Sequence, residues 1–127
     1  MRSKHVHCTM IMPLLLIMVL AVWQAGAAMA ANNDDMSRDL IRAAGSCRID
    51  EVRNILNQGV DVDSYAWGET ALHNAARHGC ENVVYLLLQS GAYVDSKNHD
   101  GNTPMDLARQ SGYPNVVNLL HRYQRVR

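Results

Sequence analysis

Positions 68 to 120 repeat themselves at an interval of about 33 residues, and no other property of the chain restricts its fold as tightly. Adding 33 to Gly68, Thr70, Leu72, Ala75, Gly79, Val83, Val84, Leu86 and Leu87 lands on Gly101, Thr103, Met105, Ala108, Gly112, Val116, Val117, Leu119 and Leu120. Stepping back 32 from Leu72, Ala75, Ala76, Val84 and Gly91 reaches Leu40, Ala43, Ala44, Val52 and Gly59. Each copy reads as two short helices. Leu72, Ala75 and Ala76 share a face at helical spacing, Gly79 ends that helix, and Val83, Val84, Leu87 and Leu88 form a second apolar face before Gly91. Two helices this short and this apolar cannot stand alone, so each copy needs neighbours of the same shape stacked against it.

Within the copies, Thr70-Ala71-Leu72-His73-Asn74-Ala75, Thr103-Pro104-Met105-Asp106-Leu107-Ala108 and Gly91-Ala92-Tyr93-Val94-Asp95 stand at fixed places. These resemble the T-P-L-H-x-A and G-A-D-V-N stretches of the ankyrin repeat family, whose period is also about 33. The resemblance runs from about Ser37 to Tyr123. It implies an all-α solenoid of about three helix-turn-helix repeats, near 37–66, 67–99 and 100–127, joined by short β-hairpin fingers. Such a solenoid binds protein and offers no catalytic pocket of its own.

The first thirty residues differ from the rest. Arg2, Lys4, His5 and His7 open the chain, an apolar run from 10 to 23 is broken only by Pro13, and Ala28-Met29-Ala30 supplies small residues. This predicts a secretory signal peptide over 1–30, cut after Ala30, rather than a retained membrane anchor. Residues 31–127 then form the working domain, in the periplasm if the source is a Gram-negative bacterium, or else secreted. His5, His7 and Cys8 look like a small metal cluster but fall in the leader, so no metal or other cofactor is expected. Lys plus Arg and Asp plus Glu number 12 each; losing Arg2 and Lys4 leaves the remainder two charges negative. Neither balance points to nucleic acid or an anionic membrane.

In order along the chain, residues 31–35 read as loose and polar, with Asp34, Asp35 or Ser37 free to cap the first helix. The core must come from Leu, Val, Ala and Met, since Phe is absent. In the third copy Asp106, Arg109 and Tyr113-Pro114 depart from the central pattern, which suits a repeat whose outer side meets water. His73 with Asp106 at the equivalent position tempts a catalytic reading. The resemblance makes His73 structural, holding backbone alongside Thr70. For Cys47 and Cys80 we expect two separate cysteines: packed helices lie roughly 10 Å apart, whereas a disulfide needs Cα atoms about 4.4–6.8 Å apart, so a bridge requires a favourable offset.

Tyr65 and Trp67 at the first finger tip exceed anything the packing asks for, and exposed aromatics are what binding hot spots use. By the resemblance, the contact surface is made of finger tips and the outer end of each first helix. That adds Ala66, Glu69, Arg77 and His78 in the central repeat, and His99, Asp100, Asn102, Gln110 and Ser111 in the last. The expected role is a monomeric protein-binding module that masks, inhibits or stabilises an exported enzyme, as an immunity protein does. The rival roles are an envelope or host-interaction module and a redox-stress accessory protein using its two cysteines.

Overall fold

The computed structural model describes residues 33–126, and from Asp35 onward the chain forms one compact unit. The leader and cleavage site expected over 1–30, and the cluster of His5, His7 and Cys8, lie outside the described residues. Among the described residues six helices follow one another in three antiparallel pairs: α1 (33–45) with α2 (Ile49–Asn57), α3 (Ala71–Arg77) with α4 (Glu81–Gln89), and α5 (Pro104–Ser111) with α6 (Pro114–Arg125). α3 packs on α5, and α4 lies between α2 and α6, so the first helices form one layer and the second helices another. Residues 33–35, expected to be loose, are already helical, and Asp34, Asp35 and Ser37 lie within α1 rather than ahead of it.

The apolar faces meet as the spacing predicts. Leu40, Ile41, Ala44, Val52, Leu72, Ala75, Ala76, Val84, Leu87, Ala108, Val116 and Leu120 form one continuous core, with Ala where first helices approach closely and Leu or Val between layers. Burying one such Leu or Val contributes about 1.5–3 kcal/mol. Among the described residues the fully buried core holds no Phe, Tyr or Trp, with Tyr123 only partly buried against it, so its strength comes from continuity through all three repeats.

Each first helix ends in the same way. The residues at the turn, Cys47, Gly79 and Gly112, have φ of 58°, 70° and 78°. The next residue in each case donates its N–H five positions back: Arg48 to Ala43, Cys80 to Ala75 and Tyr113 to Ala108, at 3.1, 3.0 and 2.9 Å. This Schellman closure satisfies carbonyls the helix would otherwise leave unpaired. It also shows that Cys47 corresponds to Gly79, whereas Cys80 corresponds to Arg48 and Tyr113.

That one-residue offset overturns the expectation of separate cysteines. Cys47 and Cys80 form a disulfide, with Cα atoms 5.1 Å apart. The helix-spacing argument failed because it measures between axes, and neither cysteine lies on one. Cys47 sits in the turn after α1, and Cys80 is the residue just before α4 in the neighbouring repeat. The same junction between the second and third repeats is filled by an aromatic ring: a Cβ on Gly79 would fall 2.5 Å from the Tyr113 ring. Equivalent seams are thus closed covalently in one place and by packing in the other.

The fingers contain little strand. Among the described residues the only bridge is Ala66 with Glu69, and the second finger is closed by the Asn98 N–H to the Asn102 carbonyl, the Gly101 N–H to the Asn98 carbonyl and the Asn98 side chain.

Candidate protein-binding face

The first finger is built from short-range hydrogen bonds. Asp61 accepts the Asp63 N–H on its carboxylate at 2.9 Å and the Ser64 N–H on its carbonyl at 3.1 Å, an aspartate-stabilised turn. Asp63 then accepts the Tyr93 N–H at 2.8 Å, tying the base of this finger to the next. At the tip Ala66 and Glu69 exchange both backbone hydrogen bonds at 3.0 Å, leaving Trp67 and Gly68 as a two-residue loop. Their φ values are 53° and 80°. Two left-handed residues in succession make a type I′ turn, whose first place favours Asn, Asp or Gly and penalises a bulky side chain by about 1–2 kcal/mol. Trp67 occupies that place and is 62% exposed, with Tyr65 53% exposed two residues before it.

The tip is braced from the next finger. The Gly68 carbonyl accepts the His99 N–H at 3.0 Å, and the His99 ring lies so close that a Cβ on Gly68 would fall 2.4 Å from its Nδ1. His99 Nε2 stands 3.3 Å from the Asp100 carboxylate. Buried Asn98 accepts the N–H groups of Asp100 and Asn102 at 3.0 and 2.9 Å, which shapes the second tip. Gly68→Ala is therefore expected to lower stability by about 1–2 kcal/mol, from the left-handed φ and the imidazole contact together. Urea unfolding beside Gly101→Ala, where φ is also positive but no atom is near, separates the two causes.

Beneath the tip, Glu69 is only 8% exposed. Its carboxylate takes both Arg77 amino groups, Nη1 to Oε2 at 2.9 Å and Nη2 to Oε1. Glu69 therefore offers no surface; it fixes the guanidinium, which keeps one partly open side. His78, Gln110 and Ser111 are exposed at the carboxyl ends of α3 and α5, away from the tips. The structure thus joins Trp67, Gly68, His99 and Asp100 into one unit and Glu69 with Arg77 into another, with Ala66 and Asn102 serving mainly as backbone partners.

His73 is fully buried and structural. Its Nδ1 accepts from the Thr70 N–H at 3.3 Å and lies 2.8 Å from the Thr70 hydroxyl, so the other nitrogen carries the proton and donates to the Asn102 carbonyl at 3.1 Å. Asp106 does not face it. Asp106 accepts the Thr103 N–H at 3.1 Å and donates its own to the Thr103 hydroxyl at 3.2 Å, a capping box. The Thr103 N–H holds the Asp106 carboxyl below its usual range.

Burial pushes the His73 pKa down, against the Asn102 hydrogen bond, which favours the charged form. With the folded value below the unfolded one, the contribution of His73 is complete above about pH 6.5 and is lost as pH falls toward the folded pKa. Stability is expected to decline on acidification by up to about 1.4 kcal/mol per pH unit in that window. Urea unfolding at stepped pH tests it, and His73→Gln should flatten the profile.

Sequence reasoning did not single out Asn74 or Asn98. The Asn74 amide donates to the Ile41 carbonyl at 2.8 Å, one repeat back. Its signal was present as a polar residue set between the apolar positions Leu72 and Ala75 of the first helix.

A family model described as ankyrin repeats, in three copies, matches residues 27–126. The chain is 41% identical over 75 residues to a probable E3 ubiquitin-protein ligase, XBOS34, of Oryza sativa subsp. japonica, a match covering 57% of this chain and 15% of that protein. To a putative E3 ubiquitin-protein ligase, XBAT35, of Arabidopsis thaliana it is 38% identical over 77 residues, covering 58% and 17%. To ankyrin repeat and SOCS box protein 5 of Bos taurus it is 37% identical over 70 residues, covering 55% and 21%. The matched stretch thus spans between 15% and 21% of these relatives.

Proposed function

The chain belongs to the ankyrin repeat family, a family of protein-binding modules, and from that premise we propose that it is an exported member which masks, inhibits or stabilises a partner enzyme through its finger tips. One observation carries the reading. Trp67 combines wide exposure with a left-handed backbone that packing does not require, on a turn braced by His99. Strain retained at an exposed aromatic is a mark of function rather than of folding. A projecting indole on a stiff turn suits a concave partner, and substrate clefts of enzymes are concave and largely apolar.

Export is supported by two further features. The basic, apolar and small-residue order of 1–30 suits a cleaved leader, and disulfides such as Cys47–Cys80 persist in oxidising compartments. The ligase names of two relatives belong to those proteins, of which this chain matches a small share; the repeats themselves are an interaction fold, generally without enzymatic activity.

The test has two parts. Fractionation of cells expressing the full chain should recover it outside the cytoplasm, shortened by the leader, with Cys47 and Cys80 joined. Captured enzymes from that compartment should then change in activity or heat survival when the protein is added. Recovery in the cytoplasm with free thiols overturns the export reading, and absence of any effect on enzyme activity or survival overturns the masking role.

A further inference from the structure

The two cysteines of the disulfide are placed unequally. Cys47 is exposed in the turn after α1, whereas Cys80 is 4% exposed against the core. An open cleft of about 310 Å³ runs beside both, bordered by Ile49, Gly79 and the first turn of α4. Cys80 is also the N-cap of that nine-residue helix, and no side chain caps it. The Glu81 N–H already donates to the Gly79 carbonyl at 2.9 Å and the Cys80 sulfur lies 3.8 Å from the Gly45 carbonyl, so Cys80 is marked as the departing sulfur by the burial that keeps an incoming thiol from it, with the helix dipole as a smaller aid.

From these observations we infer that the Cys47 sulfur is a thiol-exchange site for small thiols and dithiol reductants, and that opening it releases the first repeat from the array. This goes beyond the binding role and does not depend on the partner. A thiolate entering the cleft attacks Cys47 Sγ; the bond to Cys80 Sγ breaks, and its electron pair leaves on Cys80. The products are a mixed disulfide on Cys47 and a Cys80 thiolate held at the head of α4. With a monothiol this mixed disulfide persists until Cys80 attacks it, which re-forms the bridge and releases the thiol, or a second monothiol attacks it and leaves as the symmetrical disulfide, so acid is needed to trap it. With a dithiol, the second sulfur attacks the sulfur bound to Cys47, so the reductant leaves as its own disulfide, having given two electrons, and both cysteines take up protons. Access sets the direction, because an incoming thiolate reaches exposed Cys47 and not buried Cys80.

The consequence follows from what else holds each seam. Across the first, the hydrogen bonds from Asn74 to Ile41 and from Tyr93 to Asp63 accompany apolar packing. Across the second stand the His73–Asn102 bond, the Gly79–Tyr113 contact and the Tyr85–Tyr123 ring pair at 6.4 Å, while the His99–Gly68 bond, like that from Tyr93 to Asp63, joins the first finger to the second. Opening the disulfide therefore loosens α1, α2 and the Tyr65 side of the first finger. The Trp67–Gly68 tip stays fastened to the second finger through His99.

Purified, disulfide-bonded protein is treated with glutathione, quenched in acid, alkylated and mapped by mass spectrometry. Glutathione is expected on Cys47 with Cys80 alkylated, by about tenfold or more over the reverse. An even split, or a preference for Cys80, overturns the site. Amide hydrogen exchange with and without dithiothreitol tests the release. Amides of residues 40–56 should exchange at least about a hundredfold faster under reduction, with those of residues 108–120 changing by less than about tenfold. A uniform change along the chain, or none, overturns it. The Cys47→Ser, Cys80→Ser variant should show the same exchange pattern without reductant, and native protection in its first repeat also counts against the proposal.

Discussion

The Cys47→Ser, Cys80→Ser double variant is expected to be about 4 kcal/mol less stable than the natural protein in urea unfolding at neutral pH. The bridged residues are 33 apart. Closing a loop of that length removes chain entropy from the unfolded state worth about 3.7 kcal/mol in the loop-entropy description. Domains of this size are commonly stable by only about 5–15 kcal/mol, so such a loss would bring the variant near its limit. A second comparison separates the cross-link from the backbone. Cys47 holds φ at 58°, where the next repeat has Gly79. Cys47→Gly with Cys80→Ser should therefore recover about 1 kcal/mol relative to the double serine variant. A double serine variant within about 1 kcal/mol of the natural protein would show that the seam is held by packing and that the bridge is incidental.

The fold was legible because the period is written into the residues that bury. Leu72 and Ala75, with their counterparts Leu40 and Ala43 behind and Met105 and Ala108 ahead, are all core. The glycines at 59, 79, 91, 101 and 112 all take the left-handed φ that closes a helix or a finger. A repeat carries this information redundantly, since each copy restates where the helices begin and end.

What could not be read depends on how side chains cross from one copy to the next. The one-residue offset between Cys47 and Cys80 is readable from the repeat, but spacing between helix axes does not say that it brings their Cα atoms to 5.1 Å. Glu69 looked like a surface acid because it follows an exposed tip; in the structure Arg77, a full helix later, reaches back and encloses its carboxylate. His73 and Asp106 share a repeat position, yet each completes its own capping box and they do not meet. Tyr113 looked like a departure from the pattern, and it is the ring that closes the seam over Gly79. The exposed tip was visible only as an excess: Tyr65 and Trp67 were named because packing gave them no task. The strain at Trp67 lay beyond the sequence, because whether Trp67 or Ala66 takes the first turn position depends on how Ala66 pairs with Glu69.

Replacing Trp67 by Asn is expected to move stability and binding in opposite directions. Asn is among the residues a type I′ turn prefers in first place, and Trp67 pays for φ 53° with side-chain crowding that Asn avoids. The variant should therefore be more stable by about 0.5–1 kcal/mol, with Ala66–Glu69 pairing and the His99 brace unchanged. Its affinity for the partner should fall by about 2 kcal/mol or more, roughly thirtyfold, if the indole is a hot spot. Tyr65→Ala supplies the contrast: Tyr65 is also exposed but lies outside the turn, so its loss should weaken binding without the gain in stability. The two quantities are read by urea unfolding and by calorimetric titration with the captured partner. Lower stability in Trp67→Asn would mean that the indole supports the fold, and unchanged affinity would mean that the tip is not where the partner sits. Only the opposed pair of effects fits a residue kept at the cost of the turn that holds it.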